Sequence, residues 1–82
     1  MIAKIYISYK DGILDPQGAT VKKALKNIGI ENIESVRIGK YIEMTFKGIS
    51  KSDAEKLTEK ACSKLLANHN TESFNFEVTE KS

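Results

Sequence analysis

Few residues in this chain can do covalent chemistry, and their spacing argues against it. Nucleophilic catalysis needs a Ser or Cys beside an oriented base. The single Cys, Cys62, and the single His, His69, have no such partners in the sequence. Cys62 lies beside an apolar helical stripe and reads as a small buried side chain, while His69 follows Asn68 just past a helix end, a loop or capping position. The chain has no CxxC, no HxxxH and no EF-hand pattern, so no metal site is expected. Two segments hold the remaining candidates. Arg37 and Lys40 flank Gly39 in a turn-like context, where backbone N–H groups could receive a phosphate; a turn glycine with two solvated cations explains the same letters. In Leu14 Asp15 Pro16 Gln17 Gly18, Asp15 reads as a helix cap and Pro16 as the first helical residue, with partner contact as a second role for Asp15.

The elements that must position these residues follow from periodicity. Ala3, Ile5, Ile7 and Tyr9 alternate with Lys4, Tyr6, Ser8 and Lys10, the period-two signature of a strand with one face on a core. A helix is predicted from Asp15 to about Ile28, with Val21, Ala24, Leu25 and Ile28 on one stripe and a stop at Gly29. Gly18 is out of place in a first helical turn and marks a close approach by another group. A second helix is predicted from Ser52, where Ser52 and Glu55 have capping-box spacing, through Ala54, Leu57, Ala61 and Leu65 with Cys62 and Leu66 alongside. Phe74, Phe76 and Val78 give a last strand.

Val36 and Ile38, then Ile42, Met44 and Phe46, read as a hairpin broken at Gly39 Lys40. Parity makes that hairpin awkward. A two-residue loop would place Val36 and Ile38 on the opposite sheet face from Ile42, Met44 and Phe46. Either a three-residue turn or bulge restores a common face, or the sheet is apolar on both sides and needs a partner. The second option is favoured because 82 residues make one small domain, which buries only somewhat more than about 60% of its unfolded surface. A single Cys also excludes an internal disulfide, leaving self-association as the natural source of extra stability. The expected architecture is therefore α+β: one domain over residues 1–82, ferredoxin-like βαββαβ, with two helices on one face of an antiparallel sheet that serves in oligomerisation.

The 13 basic and 11 acidic residues are interspersed, giving a net charge of +2 and no basic face of the kind that attracts nucleic acid. The strand pattern begins at once and no apolar run approaches a membrane span, so a cytoplasmic protein without a leader is expected.

Three segments in order resemble the small-subunit family, PurS, of phosphoribosylformylglycinamidine synthase, a multi-subunit enzyme of de novo purine biosynthesis. They are Leu14 to Gly18, Val36 Arg37 Ile38 Gly39 Lys40 Tyr41 Ile42 Glu43, and Leu65 Leu66 Ala67 Asn68 followed by Glu72. The resemblance runs nearly end to end. It departs after Asn68, where the family usually has Pro and then aliphatic residues and this chain has His69, Asn70 and Thr71.

The resemblance implies a non-catalytic subunit that bridges a PurQ-type glutaminase and a PurL-type ATP-dependent synthetase and supports ammonia transfer. It implies a dimer or a dimer of dimers. No cofactor is expected on this chain; ATP, Mg and glutamine are used by the complex. By the match, Asp15, Pro16, Gln17 and Gly18 form a rigid loop-to-helix surface, and Arg37, Gly39 and Lys40 a hairpin tip, either of which could meet another subunit. Two alternatives stay open. An ACT-type regulatory dimer shares the element order and would bind a small molecule at its interface. An RNA-binding domain would need exposed aromatics on central strands, where Tyr6 is the candidate and Tyr41 joins it only in a favourable register.

Overall fold

Three strands and two helices alternate along the chain in the computed structural model, which describes residues 1–80. They are β1 (Ile2–Tyr9), α1 (Pro16–Asn27), β2 (Lys40–Thr45), α2 (Lys51–Ala61) and β3 (Glu72–Thr79). Strand β1 is central and antiparallel to both neighbours, in the order β2-β1-β3. Its alternation is realised as predicted. Ala3, Ile5 and Ile7 turn inward and are fully or almost fully buried, with Val78 of β3 beside them.

Helix α2 covers this inner face. Ala54 packs with Ala3 and Val78, and Cys62 packs with Ile5 and Ile7, while Ile42, Met44, Phe74 and Phe76 close the margins. Of the predicted stripe, Ala54 and the flanking Cys62 are buried, but Thr58 takes the place expected of Leu57, and Leu57 and Leu65 are 47% and 81% exposed. Thr58 can take a core position because its hydroxyl donates to the Ala54 carbonyl at 2.7 Å, leaving only its methyl to pack. The helix also starts earlier than predicted. Ser50, not Ser52, is the cap, its hydroxyl accepting from the Asp53 N–H at 3.1 Å. Past Ala61 the backbone loosens into a π turn over Cys62–Leu66, with the Ala67 N–H bonded to the Cys62 carbonyl. This extra residue per turn brings Leu66 and Ala67 onto the core and turns Leu65 to solvent.

The predicted hairpin does not form. No turn or bend interrupts residues 31–39, and the chain runs extended through Gly39 into β2, so Val36 and Ile38 join no ladder among the described residues. Gly39 makes this possible: a Cβ there would stand 2.5 Å from the Ile7 carbonyl oxygen. The parity puzzle resolves with it. Val36, Ile38, Ile42, Met44 and Phe46 are all even-numbered, so one continuous extended run puts them on one face. Nor is the outer face of the sheet apolar. It carries Lys4, Tyr6, Tyr41, Glu43, Asn75 and Glu77, so both sequence-based options for the hairpin are replaced.

Helix α1 starts at the predicted cap and ends at Asn27, with Gly29 at φ 90° carrying the stop. Its apolar stripe is uncovered: Gly18 is the one buried residue of the helix, and Ile28 is 72% exposed. Together with residues 34–38 the helix stands out from the sheet as an arm. The molecule measures 49 × 31 × 14 Å with a radius of gyration of 16.2 Å, against about 12 Å for a compact chain of this length. The class is as expected, α+β with an antiparallel ferredoxin-like sheet, but the segment predicted as a fourth strand forms none and projects from the sheet with α1. No helix among the described residues is long and apolar enough to cross a membrane.

Candidate functional site

The arm is organised by one side chain. Asp15 caps α1, its Oδ1 accepting from the Gly18 N–H at 2.8 Å, while its Oδ2 accepts from the Ile38 N–H at 2.8 Å. A single carboxylate therefore satisfies an orphan donor of the helix and one of the unpaired extended segment. Gly18 lies against that segment so closely that any Cβ would overlap the Val36 carbonyl oxygen. One turn further on, Lys22 Nζ donates to the Glu34 carbonyl at 2.8 Å. Helix and extended segment are thus held together as one unit.

These bonds depress the Asp15 pKa below its ordinary 3.8. The Gly18 N–H contributes most, then the Ile38 N–H, and together they outweigh the opposing effect of burial. A lowered folded value means that the contribution of the carboxylate is complete above pH 3.8 and is lost as the pH falls through the folded value. The amide signals of Gly18 and Ile38 are expected to shift together in an NMR titration, with one midpoint below 3.8. Two separate midpoints would show that the two bonds do not share a carboxylate.

Arg37 and Lys40 do not converge on an anion. Arg37 pairs with Asp11 at 3.3 Å and donates to the Tyr9 carbonyl, whereas Lys40 pairs with Glu72 at 3.4 Å. Glu72 is the more sheltered partner, its side chain 12% exposed and also accepting from the Asn68 N–H at 2.9 Å. The two cations therefore flank an extended strand and not a hairpin tip, and each is engaged by its own acid. An open groove of about 460 Å³ lies beside Arg37, lined by Lys10, Lys22, Asp15 and Glu34 among others, with its charges interleaved. On the opposite side of α1, Pro16, Gln17, Thr20, Val21 and Ile38 line an apolar groove of about 450 Å³.

Cys62 is fully buried, and burial, with the Glu59 charge behind it, pushes its thiol pKa up, the reverse of what a nucleophile needs. His69 is exposed and offers its carbonyl to Lys10 Nζ at 2.6 Å. The described residues contain no group of three or more His, Cys, Asp or Glu placed to hold a metal.

Sequence reasoning left one surface undecided, the pairing of Tyr6 with Tyr41. They are cross-strand partners with ring centroids 5.2 Å apart, each about half exposed. Partial desolvation, then the hydrogen bond from Tyr41 to Glu43 at 3.0 Å and the nearby carboxylate charge, push the Tyr41 pKa up to about 12. Glu43 and Glu77 flank Lys4 in the adjacent row of the same face, so among the described residues no cluster of cations stands beside the rings to draw phosphate.

Comparison with known proteins agrees with the arm and sheet taken together. Residues 2–80 match the family model described as PurS, phosphoribosylformylglycinamidine (FGAM) synthase. The chain is 43% identical over 77 residues to the phosphoribosylformylglycinamidine synthase subunit PurS of Bacillus subtilis, covering 94% of this chain and 90% of that one. Among solved structures, PurS of Methanocaldococcus jannaschii superposes with a TM-score of 0.87 at 28% identity, covering 99% of this chain and 98% of that one. A chain in the structure of PurLQS from Thermotoga maritima gives a TM-score of 0.79 at 26% identity, covering 94% and 96%.

Proposed function

Because the chain belongs to the PurS family of phosphoribosylformylglycinamidine synthase, we infer that it is the non-catalytic small subunit that joins the glutaminase and synthetase components of that enzyme. The family match over residues 2–80 carries this reading. The buried thiol and the separately paired cations accord with it, since neither is arranged to attack or activate a substrate. In such a complex the glutaminase releases ammonia and the synthetase spends ATP with Mg to activate the amide oxygen that ammonia displaces. This chain binds neither cofactor. Its contribution is to hold two active sites in register, so that ammonia arrives at high effective concentration and not through bulk water, where it is protonated and diluted.

The contact surfaces on this reading are the start of α1 and the extended run on either side of Gly39. Pro16 and Gln17 present the rigid start of α1, while Arg37 and Lys40 offer cations that orient an acidic partner surface and speed its association. Asp15, Gly18 and Gly39 act from inside by fixing the shape of that surface. The chain works as a dimer or a dimer of dimers in the cytoplasm, without nucleic acid or membrane as a partner.

The test is reconstitution with the other two subunits. Omitting this chain is expected to reduce glutamine-dependent synthesis at least tenfold, while synthesis from added ammonium salt falls much less. Full glutamine-dependent activity without the chain would refute the bridging role.

A further inference from the structure

We propose that the outer face of the sheet docks an arginine-bearing surface of one of the two enzyme components, its guanidinium lying over Tyr6 and Tyr41 and forking to Glu43 or Glu77. The inference rests on the bridging role and gives the chemistry of a contact separate from the arm.

The sheet is covered on one side. Helix α2 packs over Ala3, Ile5 and Ile7, while Tyr6, Tyr41, Glu43, Asn75 and Glu77 on the other side are exposed. There the Tyr6 and Tyr41 rings lie 5.2 Å apart, tilted by 40°, each residue about half open. Beside them runs a shallow groove of about 340 Å³, which reaches Gly39 at one end and Ser73 and Asn75 at the other. Two exposed rings on a rigid ladder make a good anchor, because each brings a large contact area with little rotamer freedom to lose.

Charge decides what fits the anchor. Cross-strand pairing sets Lys4 between Glu43 and Glu77, two carboxylates to one ammonium, and neither carboxylate forms an ion pair among the described residues. Glu43 accepts from the Tyr41 hydroxyl at 3.0 Å, which holds one acid against one ring. After desolvation and that hydrogen bond, the charges of Glu43 and Glu77 also push the Tyr41 pKa up, so the field at the rings is negative. Arginine answers both features. Its planar cation lies flat on a ring whose face is electron-rich, and its fork of N–H donors meets a carboxylate bidentately; an ammonium would gain the charge alone.

Other occupants fit less well. A second copy brings two carboxylates for each Lys4 to a face that already has the excess, and nucleic acid would meet one cation between two acids. The arm has the opposite preference, since Arg37 and Lys40 suit an acidic surface. Two faces of opposite sign let one chain tell two components apart, because each component is repelled from the other's place.

The experiment is photocross-linking in the complex assembled from the full chain, the glutaminase and the synthetase, with glutamine and magnesium nucleotide present. Benzoylphenylalanine replaces Asn75, which is the cross-strand partner of Tyr6 and leaves both rings and both acids in place. Cross-links to an arginine-containing peptide of one component are expected. Cross-links to a second copy of this chain, to a peptide without arginine, or to nothing would overturn the proposal. In the same assembly, Glu43→Lys combined with Glu77→Lys is expected to weaken binding of that component by roughly tenfold or more, with the circular dichroism spectrum of the free chain kept. Glu43→Gln combined with Glu77→Gln, a milder change that guards against misfolding, is expected to weaken it by roughly threefold. Unchanged affinity in the Gln pair would overturn the proposal. If that happens while glutamine-dependent synthesis still needs the chain, the bridging role stands without this face; if synthesis is indifferent to the chain and the arginine cross-link forms, the docking surface stands alone.

Discussion

Replacing Ile5 by Ala is expected to lower the unfolding free energy by about 2–5 kcal/mol, enough to unfold a large fraction of the protein at room temperature. Ile5 is fully buried at the middle of the central strand, in register with Ile42 on one side and Phe76 on the other and packed under Cys62. Its neighbours belong to a hydrogen-bonded sheet and cannot collapse into the space left, so the cavity cost adds to the lost transfer energy. A domain this small has little surplus to absorb the loss. The control is Leu65→Ala, a side chain with the same number of carbons as Ile5 that is 81% exposed and is expected to change stability by less than about 0.5 kcal/mol. Urea unfolding at several protein concentrations checks both, since the proposed self-association would make apparent stability rise with concentration. A loss below about 1 kcal/mol for Ile5→Ala would mean that the sheet and α2 do not form the packed layer described.

What could be read in advance was local, and what could not was tertiary. Strands β1 and β3 and the cap of α1 were legible because period-two alternation and an Asp-Pro start act within a few residues. The stripe of α2 was displaced because Leu outranks Thr on any hydropathy reading. Nothing in the sequence shows that Thr58 has its hydroxyl occupied by the Ala54 carbonyl, or that a π turn shifts the phase after Ala61. The hairpin failed differently. Gly39 Lys40 has turn composition, which on a local reading outweighs the even-numbered run from Val36 to Phe46 that marks one continuous strand-like face. For the candidate site, Asp15 was read as a cap from its neighbours. Its second bond, to Ile38, spans 23 positions and depends on how the arm folds back along α1. Arg37 and Lys40 were grouped because three positions apart in a turn they would converge. On an extended chain they point to opposite sides and to different acids.

Gly18→Ala is expected to loosen the arm while leaving the sheet intact, and here two effects of opposite sign compete. Gly18 sits in the first turn of α1 without a positive φ, so helix propensity alone predicts that Ala stabilises by about 0.5–1 kcal/mol. Against this, a Cβ would overlap the Val36 carbonyl oxygen and stand 2.7 Å from Asp15 Oδ2. The carbonyl belongs to backbone and cannot rotate aside, and the carboxylate can retreat only by giving up its bonds to Gly18 and Ile38. Overpacking of this kind costs about 1–3 kcal/mol, so the clash outweighs the propensity gain. The damage falls on the arm and spares the sheet, because Ala3, Ile5, Ile7, Ala54, Cys62 and Val78 form the core without any contribution from α1. Hydrogen exchange should therefore show faster exchange at Ile38 and along α1, with β1 and β3 still protected. A variant whose α1 is as well protected as the parent's, or better, would mean that helix and extended segment do not touch at Gly18, and the rigid arm would have to be abandoned.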